Sequence, residues 1–336
     1  LNRQRHHNNF DFLRFVFASF VIITHSFALL GMEKKEWMLG ITNGQISFSQ
    51  LGLAGFFTIS GYFIYKSMLR SDSVLHYLKK RVLRLFPALL VVLLLSLVVL
   101  PFFYRGDKSI FNEFGYWTYL PYNLSLYLFQ GPVEGVFNSL PYRSFNGSLW
   151  TIRYEFSMYL FVLLFFFIKK ARYHRFLATF LLILWYVIFT FGMNRFGASN
   201  FLGMTGYPLF NLGGYFVAGI FLGTLQRKLF NDKRLLLFAL ILLVVSAYYG
   251  MYGYVKHVAL SFLILGLGFW ESKLAYFKDY GDPSYGIYIY AFPIQQILIY
   301  CFSPSLEILL LGSFSLAVFF GYISWHLIEK RALSIK

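Results

Sequence analysis

Three polar side chains interrupt the apolar stretch FDFLRFVFASFVIITHSF, residues 10–27: Asp11, Arg14 and His25. A guanidinium can clamp an anion, an imidazole can take a proton, and each is costly against hydrocarbon. Eleven residues separate Arg14 from His25. At about 100° per residue the two leave one helix face, roughly 16 Å apart along the axis. Asp11 stands one turn before Arg14 and is placed to orient it as an i,i+3 partner. Arg14 reads either as a clamp or as a side chain snorkelling to headgroups. His25 reads either as a general base or as a hydrogen-bonding group between helices.

Two further groups have comparable chemistry. In SLWTIRYEFSMYL (148–160), Glu155 lies about two turns into an apolar segment, where an acid needs a partner or a task. That task is orienting His25 or sharing proton transfer with it, if the two helices meet in one cavity. Arg153 is nearer the segment's end and reads as a snorkelling residue. In KKRVLRLFP (79–87), Arg81 and Arg84 are three apart on one face with Lys80 beside them. Guanidinium forks suit phosphate oxygens; the competing reading is an ordinary basic loop.

The elements that position these groups are membrane helices. The chain has 336 residues, 58% apolar and only 13% charged, with mean hydropathy +0.60. Soluble domains run near a quarter charged, so the expected class is an all-α, polytopic integral membrane protein. About ten spans are expected: 10–31, 51–69, 82–103, 149–168, 176–192, 207–226, 235–252, 257–271, 284–302 and 306–328. The predicted inner side carries 21 Lys and Arg against 8 on the outer side, Arg14 being within the first span. That bias puts both termini in the cytoplasm. The net charge of +16 is spread between apolar runs and forms no single basic face, which argues against a nucleic-acid partner. One cysteine, Cys301, excludes a disulfide framework and a cysteine metal site; no metal is expected. The first apolar run is too long for a cleavable signal peptide. With no repeat or low-complexity segment, residues 1–336 read as one domain.

In the second span Gly52, Gly55, Ser60 and Gly61 allow close helix packing or a thin tunnel. The long outer connection, about 104–146, is rich in aromatic residues, as in LPYNLSLYLFQGPVEG. It reads as a sugar-facing cap or as an interfacial belt. The ninth span opens with Ser284, Tyr285, Tyr288 and Tyr290, and Pro293 is expected to kink it.

Together these stretches resemble acyltransferase family 3, the membrane O-acyltransferases of bacterial surface glycans. The resemblance runs through FDFLR…H (11–25), GFFTISGYFI (55–64), RVLRLFP (81–87), NGSLWTIRYEFSMY (146–159), SYGIYIYAFPI (284–294) and WHLIEK (325–330). It implies transfer of an acyl group, usually acetyl, from cytoplasmic acetyl-CoA to a hydroxyl of a polysaccharide or lipid-linked glycan outside the bacterial inner membrane. By that resemblance His25 and Glu155 are catalytic, while Arg14, Lys80, Arg81 and Arg84 hold the acyl-CoA donor. Asp11, Ser60, Gly61, Trp150 of the S-L-W motif and Tyr285 are orienting or structural. No tightly bound cofactor is implied. The chain departs from the family at Ala291, where many members have His, so the ninth span carries no catalytic weight. The last span lies close to Lys336, so no fused extracytoplasmic domain like that of some members is expected. The alternative is a transporter or flippase of a lipid-linked glycan or small anionic substrate, with buried charges lining its path.

Overall fold

A computed structural model describes residues 8–335, so the predicted inner charges Arg3, Arg5 and Lys336 lie outside the described residues. The fold is helical, with one two-stranded antiparallel ribbon (β1, Asn200–Phe201; β2, Met204–Thr205). Its main helices are α1 (Phe10–Leu29), α2 (Phe48–Met68), α3 (Val74–Phe103), α4 (Phe114–Leu124), α5 (Ile152–Phe161) and α6 (Ala171–Phe191). The remainder are α7 (Gly206–Gly223), α8 (Lys233–Tyr248), α9 (Tyr252–Phe269), α10 (Ser284–Phe302) and α11 (Leu306–Ser324).

Each of the ten expected spans falls on a helix, but among the described residues seven helices are long and apolar enough to cross a membrane. The shortfall has two physical causes. The α8 helix has 16 residues, about 24 Å at 1.5 Å per residue, less than the roughly 30 Å of a bilayer core. The α2 and α7 helices are long enough, but Gly, Ser, Tyr and Asn dilute them. Both are central helices that face protein more than lipid, and small residues suit that position.

The α2 helix is the hub. It packs against α1 on one side, α7 on another and α9 on a third. Its start is set by a capping box, in which Ser47 accepts from the Gln50 N–H while Gln50 accepts from the Ser47 N–H. The α1 and α2 helices run antiparallel, with the Ser49 N–H donating to Thr24 Oγ1 at 2.8 Å. Glycine decides how closely they approach. A β-carbon at Gly52 would stand 2.6 Å from the Phe17 carbonyl, and one at Gly61 would strike the Phe216 backbone of α7. Gly52, Gly55 and Gly61 therefore serve close packing; no tunnel runs along them.

The helices α10 and α11 form a pair beside α1. After α11 the chain passes through one π-helical turn, Trp325–Glu329, and ends in a short helix, Lys330–Ser334. A π turn rotates the following side chains relative to an α-helix, and such turns recur at functional sites. Here it carries Glu329, 2% exposed, into the bundle. The α3 helix is continuous over 30 residues despite Pro87 and Pro101.

Candidate active site

A cavity of about 340 Å³ opens at the end of the bundle where α1, α3 and α10 begin. Its wall on α2 extends from Ile64 to Leu53, about 16 Å at 1.5 Å per residue. Asp11, Arg14, Lys80, Arg81 and Arg84 line its charged end. Ser60, Glu155, Tyr159, Tyr285 and Tyr288 line its interior. Residues scattered over 322 positions of sequence, Asp11 to Leu333, thus converge because α1, α2, α3, α5, α10 and the segment after α11 meet there.

The charged end is an ion-pair network. Arg14 lies 3.1 Å from Asp11, one turn earlier in α1, and 3.5 Å from Asp282. Arg84 of α3 lies 2.7 Å from Asp282 and 3.5 Å from Glu329. Asp282 precedes α10 and is itself held by Ser284, whose hydroxyl donates to Oδ1 at 2.5 Å. Burial alone would push the Asp282 carboxyl up. Arg84, Arg14 and the Ser284 hydrogen bonds outweigh burial and hold it below the usual carboxylate range. Asp282 and Glu329 carried no expected role, yet they bind together α1, α3, α10 and the segment after α11. Their signals were present in the sequence: an Asp-Pro before a helix, and an acid inside the last apolar span.

Arg81 differs from its neighbour. It is 8% exposed, donates to Ser67 Oγ at 3.2 Å, and its guanidinium lies over the rings of Tyr77 and Tyr159 at 5.5 and 5.8 Å. No carboxylate lies within 4 Å of it among the described residues, and its Nε is buried without a hydrogen-bond partner. Arg84 and Arg14 are thus matched by acids, while the positive charge of Arg81 is left for something else.

Glu155 accepts from Ser60 Oγ at 3.2 Å and makes a short hydrogen bond with Tyr159. Tyr285 donates to the Leu85 carbonyl at 3.0 Å and fixes α10 against α3. Tyr288 and Thr151 are hydrogen-bonded at 2.5 Å and, with Leu53 and Phe56, close the cavity's far end. Trp150 is outside the lining and packs edge-on against Tyr154 at 5.4 Å.

His25 is not in this cavity. It is on α1 next to Thr24, level with Ser49 of α2, hence about one turn beyond Leu53. Its ring stands edge-on to Phe292 of α10 at 5.1 Å, and Nδ1 is buried with no partner among the described residues. His25 therefore does not line the cavity that holds Glu155. The face of α1 between Arg14 and His25 is filled, because Ala18, Val21 and Ile22 there are buried against neighbouring helices. The helical wheel places two residues on one face but does not say what packs between them.

A family model described as an acyltransferase domain matches residues 7–326. The chain belongs to acyltransferase family 3. Like the sequence, this acyltransferase's helices and family mark a multi-pass membrane protein. It is 28% identical to an O-acetyl transferase of Shigella phage Sf6, over 97% of this chain and 96% of the phage protein. It is 32% identical to Nodulation protein 10 of Rhizobium leguminosarum bv. viciae over 171 residues, 46% of this chain and 43% of that protein. No solved structure matches the acyltransferase.

On the opposite end of the bundle the aromatic connection folds into α4 and a groove of about 570 Å³. Phe114, Tyr122, Tyr127 and Phe129 line it together with Gln130 and Arg153. Arg153 lies over the Phe129 ring at 5.8 Å. It is two residues from Glu155 and so faces roughly the other side of α5.

Proposed function

We propose that the protein moves an acyl group, acetyl in the first instance, from acyl-CoA to a hydroxyl of a surface polysaccharide or lipid-linked glycan. The observation that carries this reading is the cavity whose entrance is cationic and whose interior holds Glu155 beside Ser60 and Tyr159. The basic end faces the cytoplasm, in keeping with the Lys and Arg bias, and the protein resides in the bacterial inner membrane. Arg81 and Lys80 bind donor phosphates, with Arg14 and Arg84 shaping the mouth through Asp282. The pantetheine arm lies along α2, and the thioester reaches the level of Ser60 and Glu155.

The acceptor hydroxyl comes from the other side, to His25. In the transfer step the hydroxyl oxygen forms a bond to the thioester carbonyl carbon and the carbon–sulfur bond breaks. His25 takes the hydroxyl proton, and the departing thiolate is protonated to give CoA thiol. Glu155 assists from the donor side. His25 lies about one turn beyond the cavity's far end, so transfer requires that end, closed by Thr151, Tyr288, Leu53 and Phe56, to open. The aromatic groove near Arg153 supports a carbohydrate acceptor, since ring faces and a few polar groups suit a sugar. The resemblance to the phage O-acetyl transferase makes acetyl the first donor to test.

Purified protein in nanodiscs, incubated with acetyl-labelled acetyl-CoA and a lipid-linked glycan, should transfer label to the glycan with release of CoA thiol. Retention of all label on CoA across a panel of glycan acceptors, with glycan movement across the bilayer, would support a transporter instead.

A further inference from the structure

A second, smaller pocket shares a wall with the donor cavity. It has a volume of about 330 Å³ and is lined by Asn8, Phe10, Asp11, Arg14, Phe63, Ser67, Arg70 and Arg81. Asp11, Arg14, Phe63 and Arg81 belong to both. Two features make it an anion site. Arg81 is nine-tenths buried, with an unpartnered Nε and no carboxylate within 4 Å among the described residues. Arg70 is exposed at the rim, just after α2, and likewise has no carboxylate within 4 Å among those residues. Ser67, one turn before Arg70, adds a hydroxyl already hydrogen-bonded to Arg81. The pocket therefore offers two guanidiniums with no carboxylate in contact among the described residues.

Its position relative to the large cavity suggests which anion it takes. That cavity is about 16 Å long, the reach of an extended chain of about five peptide units, which is filled by a pantetheine arm. The diphosphate then lies at the entrance, against Arg81 and Lys80. The nucleotide must continue outward past the shared wall. We infer that the smaller pocket holds the 3′-phosphorylated ribose of an acyl-CoA donor, with Arg70 and Ser67 selecting for that phosphate. This rests on the acyl-CoA reading above, and adds to it a residue pair that sets donor specificity.

The experiment compares acetyl-CoA with 3′-dephospho-acetyl-CoA by calorimetry and by KM, in phosphatidylcholine nanodiscs. Wild-type protein should bind the phosphorylated donor about tenfold more tightly, the scale of one charge-assisted phosphate contact. Arg70→Ala should remove that preference by weakening binding of the phosphorylated donor alone, and Arg70→Lys should restore part of it. Equal wild-type affinity for the two donors, or an Arg70→Ala loss that is the same for both, would overturn the subsite while leaving acyl-CoA as donor. Wild-type binding of neither would sink the donor reading and the subsite together. Adding phosphatidylglycerol to the nanodiscs should leave the preference intact; its disappearance would assign the pocket to a lipid headgroup.

Discussion

Arg84 Nη2 lies 2.7 Å from Asp282 Oδ2, an ion pair between residues 198 positions apart that locks α3 to the start of α10. The carboxylate is shared with Arg14, and Arg84 is shared with Glu329. Removing one partner of such a pair leaves charge in a poorly solvated site. Asp282→Ala should therefore cost about 3 kcal/mol of stability, and Glu329→Gln less, because Asp282 still holds Arg84. Denaturant unfolding in detergent checks this, and a double-mutant cycle with Arg84→Ala should return a coupling well above the error of the measurement.

The same carboxyl makes a pH prediction. Its folded-state value lies below the usual range because Arg84, Arg14 and Ser284 together overcome burial. A depressed acid contributes stability that is complete above its unfolded value, about 3.9, and is lost as pH falls through the lower folded value. The stability advantage of wild type over Asp282→Asn should persist at about pH 5 and be lost only in stronger acid. A difference that fell away between pH 7 and 6 would contradict the assignment.

Glu155 is held by Ser60 and Tyr159 inside the cavity, with no Lys or Arg within 4 Å of it among the described residues. Glu155→Gln keeps the shape and the Tyr159 hydrogen bond but cannot accept a proton. Acetyl-CoA affinity should stay within about twofold, while transfer falls by about 10² to 10⁴, the range for a lost acid–base group. Ser60→Ala should cost far less. Parallel calorimetry and radiolabel transfer separate the two effects.

Gly61 touches the Phe216 backbone. Gly61→Ala has no room to adjust because its neighbour is main chain, and should destabilise by about 1–3 kcal/mol, the usual cost of overpacking. The drop should appear as a lower unfolding midpoint with no change in the ratio of donor affinity to transfer rate among folded molecules.

Much of this arrangement was legible in the sequence, for local reasons. The Asp11–Arg14 pair follows from i,i+3 spacing, and the depth of Glu155 follows from its distance into an apolar run. The helix positions follow from hydropathy, although α2 and α7 fall short as independent spans because neighbouring helices cover them, and α8 because it is short. What was not legible depends on long-range packing. Asp282 and Glu329 meet Arg84 only after three segments assemble. The helical wheel puts Arg14 and His25 on one face, but Ala18 and Ile22 on that face pack against α10 and α11. Nothing in the spacing of α1 could reveal that the donor cavity would instead follow α2.

The central claim is that acyl-CoA enters from the basic end and that His25, one turn past the cavity, receives the acceptor's proton. A single-turnover assay with His25→Ala and labelled acetyl-CoA tests it most directly. The variant should bind the donor with wild-type affinity yet move no measurable label to the glycan. Transfer at the wild-type rate would contradict the claim and remove His25 from the chemistry.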